Sequence, residues 1–263
     1  MEGISERFAG RHVVVTGAGT GIGRAIALRL AREGAQTTLL ARDVSRLEET
    51  ALLMKSANAA RPLVLACDIT RRTTVDAAFA RAAQSNGPLF ALVANAGIGG
   101  ANAAGAHDRF DEIVATNVTG TYSCLRAAEA HLASGGEPRH LVVIASILAR
   151  IGVPGYTGYC ASKAALMGLV RALAAELAPK SVQVNAVCPG WVDTEMAREG
   201  LAGMAAAMHV ALDEAKKIAM SAVPAGRMSQ PDEIAGLVAW LLSSDARGVT
   251  GQGLDMNGGA FMH

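Results

Sequence analysis

His12-Val-Val-Val-Thr-Gly-Ala-Gly-Thr-Gly-Ile-Gly-Arg-Ala-Ile-Ala-Leu-Arg-Leu30 decides the fold of this chain. Residues 12–16 are a short β-branched run of the kind that fills a strand buried on both faces. Ile22, Ile26 and Leu30 then recur at helical spacing. Between them stand Gly17, Gly19, Gly21 and Gly23, where the chain must reverse sharply and pack a new helix onto the strand. A helix N-terminus at such a turn offers unpaired N–H groups and a partial positive charge, the features that receive a pyrophosphate. The strand before and the helix after raise this glycine cluster above an ordinary tight turn. Thr16, Gly17, Gly19, Thr20, Gly21, Ile22 and Gly23 are therefore candidates for a dinucleotide cradle.

The same alternation continues outward to both ends. Strands are expected at His12–Thr16, Thr37–Ala41, Leu63–Cys67, Leu89–Ala94, His140–Ser146 and Val182–Val187, with a short last one at Leu254–Met256. Helices are expected to start near Gly21, Val44, Thr73, His107, Gly158 and Pro231. Strands alternating with helices imply right-handed crossovers, hence an α/β fold: a doubly wound parallel sheet of about seven strands, helices on both faces. No linker, repeat or biased tract divides residues 1–263, so a single domain is expected. The methionine-rich stretch at about 194–228, with Met196, Met204, Met208, Met220 and Met228, is longer than a crossover requires and reads as a substrate lid or as core-facing helix.

Composition narrows the partners. With 24 Lys and Arg against 23 Asp and Glu, the net charge of +1 provides no basic field for nucleic acid or an acidic membrane. A small molecule is the expected partner. The longest apolar run, Leu141–Leu148, falls well short of the roughly 20 residues of a membrane span. Met1–Arg11 lacks the apolar core of a secretory signal, and Cys67, Cys124, Cys160 and Cys188 are widely spread, so a cytoplasmic protein with reduced thiols is expected. His107, His131 and His209 have no metal-ligand spacing, and no metal is expected.

Three further stretches carry chemistry: Asn95-Ala-Gly97, Ser146 at the end of the fifth strand, and Tyr159-Cys-Ala-Ser-Lys163. Together with the spacing GxxxGxG, they make nearly the whole chain resemble the short-chain dehydrogenase/reductase family, in particular its 3-oxoacyl and ketoreductase-type members. The resemblance implies a Rossmann-type fold and hydride transfer between nicotinamide and a ketone or secondary alcohol. Tyr159 is implied as proton donor, Lys163 as its activator and nicotinamide-ribose ligand, Ser146 as holder of the substrate oxygen, and Asn117 as support for a proton-carrying water. Tyr159 and Lys163, four apart, share one helix face. A cation about 4 Å from a phenol contributes roughly 4 kcal/mol at an effective dielectric of about 20, so Lys163 is expected to lower the Tyr159 pKa by about three units. Leu148, Tyr156 and Met196 would join Ser146 in the substrate pocket. Cys160 is not needed as a nucleophile.

The cofactor assignment rests on Leu40-Ala41-Arg42-Asp43. In the family an acidic side chain at the end of the second strand holds the ribose hydroxyls of NAD. Here that position falls on Ala41, and Arg42 can pair with a 2′-phosphate, so NADPH (NADP+) is expected over NADH. By the same resemblance Cys67, Asp68 and Ile69 border the adenine, Asn95, Ala96 and Gly97 line the groove, and Pro189, Gly190, Val192 and Thr194 approach the nicotinamide. The expected activity is reduction of a 3-oxoacyl thioester, a polyketide-like substrate or another apolar ketone. An NAD-dependent alcohol or polyol dehydrogenase working oxidatively, and a cofactor-sensing protein without turnover, remain open. Helices rich in small residues at 107–132 and 158–177 point to a homo-oligomer, a tetramer or dimer. Glu137, Arg139 and Lys180, taken as neighbours of the pocket, are too mixed in sign for a basic acyl-carrier dock.

Overall fold

A computed structural model describes residues 6–57 and 59–262; Met1–Ser5, Asn58 and His263 lie outside the described residues. Seven strands, β1 (His12–Thr16), β2 (Gln36–Ala41), β3 (Leu63–Ala66), β4 (Ala91–Ala94), β5 (Arg139–Ile144), β6 (Val182–Pro189) and β7 (Gly253–Met256), form one parallel sheet in the order β3-β2-β1-β4-β5-β6-β7. The chain winds outward from β1 to β3, then returns to β4 beside β1 and winds the other way. This reversal opens a crevice at the carboxyl ends of β1 and β4, where open α/β sheets place their ligands.

The strands are mostly apolar because both faces of the sheet are covered. Val13 and Val15 point into one core layer with Ile26 and Leu30 of α1 (Gly21–Arg32), Leu47 of α2 (Val44–Ser56) and Ile234 and Val238. Val14 points into the opposite layer, with Phe79 of α3 (Arg72–Asn86), Leu125, Leu166, Val170 and Leu173. The period-two alternation thus serves two helix layers rather than a core and a solvent face.

The remaining helices are α4 (Phe110–Val114), α5 (Thr121–Ala130), α6 (Thr157–Leu177), α7 (Glu195–Met208), α8 (Leu212–Ser221) and α9 (Pro231–Leu241). Pro231 opens α9 as expected, and Gln230 and Glu233 form a capping box there. The helix expected near His107 starts at Phe110 and is interrupted: residues Ala115–Gly120 form a π-helical turn between α4 and α5. Leu89 lies outside β4, bridged to Leu132, while β3 stops at Ala66 and β5 at Ile144, short of Cys67 and Ser146. The segment at 194–228 is two helices, α7 and α8, separated at His209, whose φ is +55°.

Candidate active site

Gly17 and Gly21 take the left-handed conformation, with φ of +64° and +51°. A Cβ at Gly23 would sit 2.2 Å from the Gly17 carbonyl oxygen and 2.4 Å from Asn95 Nδ2, so only glycine lets α1 lie this close to the loop. Asn95 Nδ2 donates to the carbonyls of Thr16 (3.0 Å) and Gly17 (3.2 Å), while the Asn95 and Ala96 amides donate to Thr16 Oγ1, both at 3.0 Å. The turn after β4 is thereby bolted to the turn after β1. Thr20, at the N-cap of α1, makes no side-chain cap bond. The first-turn amides of α1 therefore have no side-chain acceptor from the cap, as an anion-binding helix end requires.

Arg42 is exposed at the end of β2. Asp43 does not face it: its carboxylate caps α2, accepting from the amides of Ser45 (3.0 Å) and Arg46 (3.3 Å) and from Ser45 Oγ (2.6 Å). Those bonds hold its pKa below the ordinary value, led by the Ser45 hydroxyl. Asp68 likewise spends one oxygen on Thr70, which holds its carboxyl low, with the Arg42 charge contributing. Cys67 and Ile69 are buried on either side. Burial raises the Cys67 thiol, and Ile69 packs on Gly120.

The second half of the site assembles where β5 and β6 end. Ser146 is buried after β5 and caps the short turn Ile147–Ala149, accepting from Leu148 N at 3.1 Å. Its hydroxyl also favours the ionised form of Tyr159. On the same face of α6, Lys163 is 5% exposed, and its Nζ donates to the Ile144 carbonyl at 2.9 Å and lies 5.5 Å from the centre of the Tyr159 ring. Ser146, Tyr159 and Lys163 are thus brought together from two elements.

The electrostatics depart from expectation. Burial pushes Tyr159 up to about 12, the Ser146 hydroxyl opposing it, and pushes Lys163 down to about 8. The lowering of Tyr159 by Lys163 is not realised here, because removal from water outweighs a cation whose ammonium is directed at a carbonyl.

Asn117 has a structural part that the motif did not show. It occupies the π turn, 1% exposed, and its side chain is committed: Oδ1 accepts from Ile98 N and Nδ2 donates to Ile98 O, both at 2.9 Å, and to Ser162 Oγ at 3.0 Å. Ser162 in turn donates to the Tyr159 carbonyl at 2.8 Å. Asn117 is a strut joining the β4 turn to the tyrosine helix. Ser162 was not singled out in the sequence, although it lies inside the YxxxK stretch; its partner, 45 residues away, gives no local sign.

Pro189 ends β6 opposite Met256, and a Cβ on Gly190 would touch Asn257 at 2.9 Å. Val192 is buried and bridged to Ser229. Thr194 caps α7 through Ala197 N and abuts Gly21. Leu148 and Tyr156 are half-buried beside Ser146 and at the start of α6. Met196, 46% exposed, lies over Gly99: a Cβ there would be 3.1 Å from its sulfur and 3.8 Å from the Tyr159 ring. Met204, Met220 and Met228 pack instead with Leu201 and Trp191, forming a small core of their own. Glu137, Arg139 and Lys180 lie at the other edge of the sheet, where β5 and β6 begin. There Glu137 pairs with Arg11, Lys180 with Glu129, and Arg139 donates to backbone carbonyls.

Known proteins agree with this architecture. Residues 17–260 match the family model described as enoyl-(acyl carrier protein) reductase. The 2-(S)-hydroxypropyl-CoM dehydrogenase 3 of Xanthobacter autotrophicus is 36% identical over 97% of this chain and 98% of its own. The 3-oxoacyl-[acyl-carrier-protein] reductase FabG of Pseudomonas aeruginosa is 36% identical over 96% and 98%. An NADPH-bound crystal structure of an actinorhodin polyketide ketoreductase variant superposes with a TM-score of 0.89 at 33% identity, covering 95% and 97%.

Proposed function

Because this chain belongs to the short-chain dehydrogenase/reductase family, we propose that it reduces a ketone with NADPH, Tyr159 giving the proton. It is an oxidoreductase acting between C=O and CH–OH. The observation that carries the residue assignment is the convergence of Ser146, Tyr159 and Lys163 at the carboxyl edge of β5, where Lys163 Nζ donates to the Ile144 carbonyl and lies 5.5 Å from the centre of the Tyr159 ring.

The residues fit the cofactor. The glycine cradle leaves no room for a Cβ, the α1 N-terminus is uncapped by a side chain, and Arg42 is exposed with Asp43 turned away. Arg42 holds the 2′-phosphate, and Lys163, Val192 and Thr194 hold the nicotinamide end. NADPH, when bound, supplies the hydride. Ser146 donates to the substrate oxygen as charge develops there. Tyr159 passes its proton to that oxygen, so that one hydride and one proton convert the ketone to the alcohol. Lys163 steadies the tyrosinate left behind, which is how a phenol raised to about 12 can act at neutral pH.

The substrate is a 3-oxoacyl thioester, a polyketide-like ketone or a similar apolar ketone, with Leu148, Tyr156 and Met196 lining its pocket. The engagement of Glu137, Arg139 and Lys180 far from the site supports a substrate that is free or carried on a small thiol rather than docked there by an acidic carrier. Residues 194–228 serve as lid within a single catalytic domain. The exposed face of α6, with Ala161, Ala165, Gly168, Ala172 and Ala175, supports pairing into a dimer or tetramer. Among the described residues no helix is long and apolar enough to cross a membrane, and the four cysteines are free, which supports a cytoplasmic setting.

Tyr159→Phe tests the mechanism. It should leave NADPH binding, read by fluorescence titration, unchanged, and lower kcat about 10²-fold or more. Retention of a tenth of the normal kcat would remove Tyr159 from its role.

A further inference from the structure

The glycine loop is flanked on both sides. On one, the Arg46 Cβ lies 2.9 Å from where a Gly19 Cβ would stand; on the other, Thr194 abuts Gly21. Across this gap Arg46 Nη1, on the first turn of α2, reaches Glu195 Oε2, the first residue of α7, at 2.9 Å. The pair joins residues 149 apart and ties the helix after Arg42 to the segment after Thr194. Arg46 Nε is also 3.6 Å from Asp43 Oδ2, which places its guanidinium beside the loop that carries Arg42.

We propose that Arg46 is a second ligand of the 2′-phosphate, held in reserve by Glu195 and exchanged to the phosphate when NADPH enters. This rests on the reading of Arg42 as the first ligand. Both members of the pair are about half exposed, so their mutual attraction is weak and screened. A phosphate carrying nearly two charges, already fixed by Arg42, is the stronger competitor for a guanidinium fork. Glu195 loses little by the exchange, because it stands at the first position of α7, where the helix N-terminus favours a carboxylate. NADH has nothing to offer Arg46, so the tie between α2 and α7 would persist with NADH and be released by NADPH.

The exchange has an unusual sign, which makes it testable. Arg46→Ala and Glu195→Gln should act in opposite directions on NADPH and leave NADH unmoved. Dissociation constants for NADPH, NADH, adenosine 2′,5′-bisphosphate and 5′-AMP would be titrated by fluorescence or calorimetry with the unaltered protein, both variants and Arg42→Ala. Arg46→Ala should weaken the two 2′-phosphorylated ligands about five- to tenfold, as for one exposed charge-assisted contact. Glu195→Gln should tighten them about two- to fivefold, the size of an exposed ion pair. If both variants weaken all four ligands alike, the pair is a static clasp and the proposal is overturned. If Arg42→Ala weakens NADPH while Arg46→Ala does not, Arg46 is no phosphate ligand. Should the unaltered protein bind NADPH and NADH equally and Arg42→Ala change neither, the reading of Arg42 itself falls, and this inference with it.

Discussion

Lys163 is the group whose titration should be visible in turnover. Burial lowers it from an ordinary 10.5 to about 8, while Tyr159, at about 12, stays protonated throughout the working range. Reduction needs Lys163 charged, since only an ammonium steadies a tyrosinate. The kcat/KM for NADPH, which reports ionisations of the unliganded enzyme, should be level below pH 8 and fall about tenfold per unit above it. Stability should move the other way. Between pH 8 and 10.5 the unfolded chain keeps a proton that the folded chain has lost, so stability rises with pH, by roughly 3 kcal/mol at most. Measurements should stop near pH 10, where Tyr159 in the unfolded chain starts to ionise and reverses the trend. Initial rates by absorbance and denaturant midpoints at matched pH give both curves. Lys163→Arg, slower overall, should lose the alkaline limb because a guanidinium does not deprotonate there. An unaltered enzyme whose rate stays level to pH 10 would refute the assignment of Lys163 as a buried, activating ammonium.

Three further outcomes follow from packing. Gly23→Ala would drive a Cβ to 2.2 Å from a carbonyl oxygen, so a loss of about 1–3 kcal/mol and of NADPH affinity is expected, whereas Gly203→Ala on α7, with nothing within 4 Å, should be neutral or stabilising by up to about 1 kcal/mol; thermal melts separate them. His140, buried against Phe90 and lowered from 6.5 to about 4, binds a proton in the unfolded chain first, so stability should fall as pH drops from 6.5 towards 4, by roughly 3 kcal/mol at most. His140→Leu should flatten that acid limb in urea midpoints. His209→Gly relieves a left-handed residue at the end of α7 and should gain about 1 kcal/mol, with a raised melting temperature.

What could be read from the sequence was whatever is written locally. The first six strands are near-continuous apolar runs because both faces of the sheet are covered, and their positions came within a few residues. The glycine turn was legible because each glycine answers a steric demand a few residues away. The tyrosine–lysine pair was legible from spacing, but its titration was not: proximity can be inferred from an i,i+4 interval, burial cannot. Asn117 was found by motif, but the partners of its side chain were not, since Ile98 and Ser162 reach it only through the fold. Arg46 and Glu195 were missed for the same reason.

The π turn at Ala115–Gly120 has a consequence for how this gene can change length. Such a turn carries one residue more than regular helix needs, and the surplus is what lets Asn117 face Ile98 and Ser162 at once. Removing any single residue between 115 and 120 would let the helix close up with better local geometry. The core face of α5 would keep its register, because the wide turn is what absorbs the surplus residue. Cys124, Leu125 and Ala128 would stay in the core, and what would go is the reach of Asn117 to Ile98 and Ser162. A one-codon deletion here should therefore leave the fold standing while untying the β4 turn from the tyrosine helix.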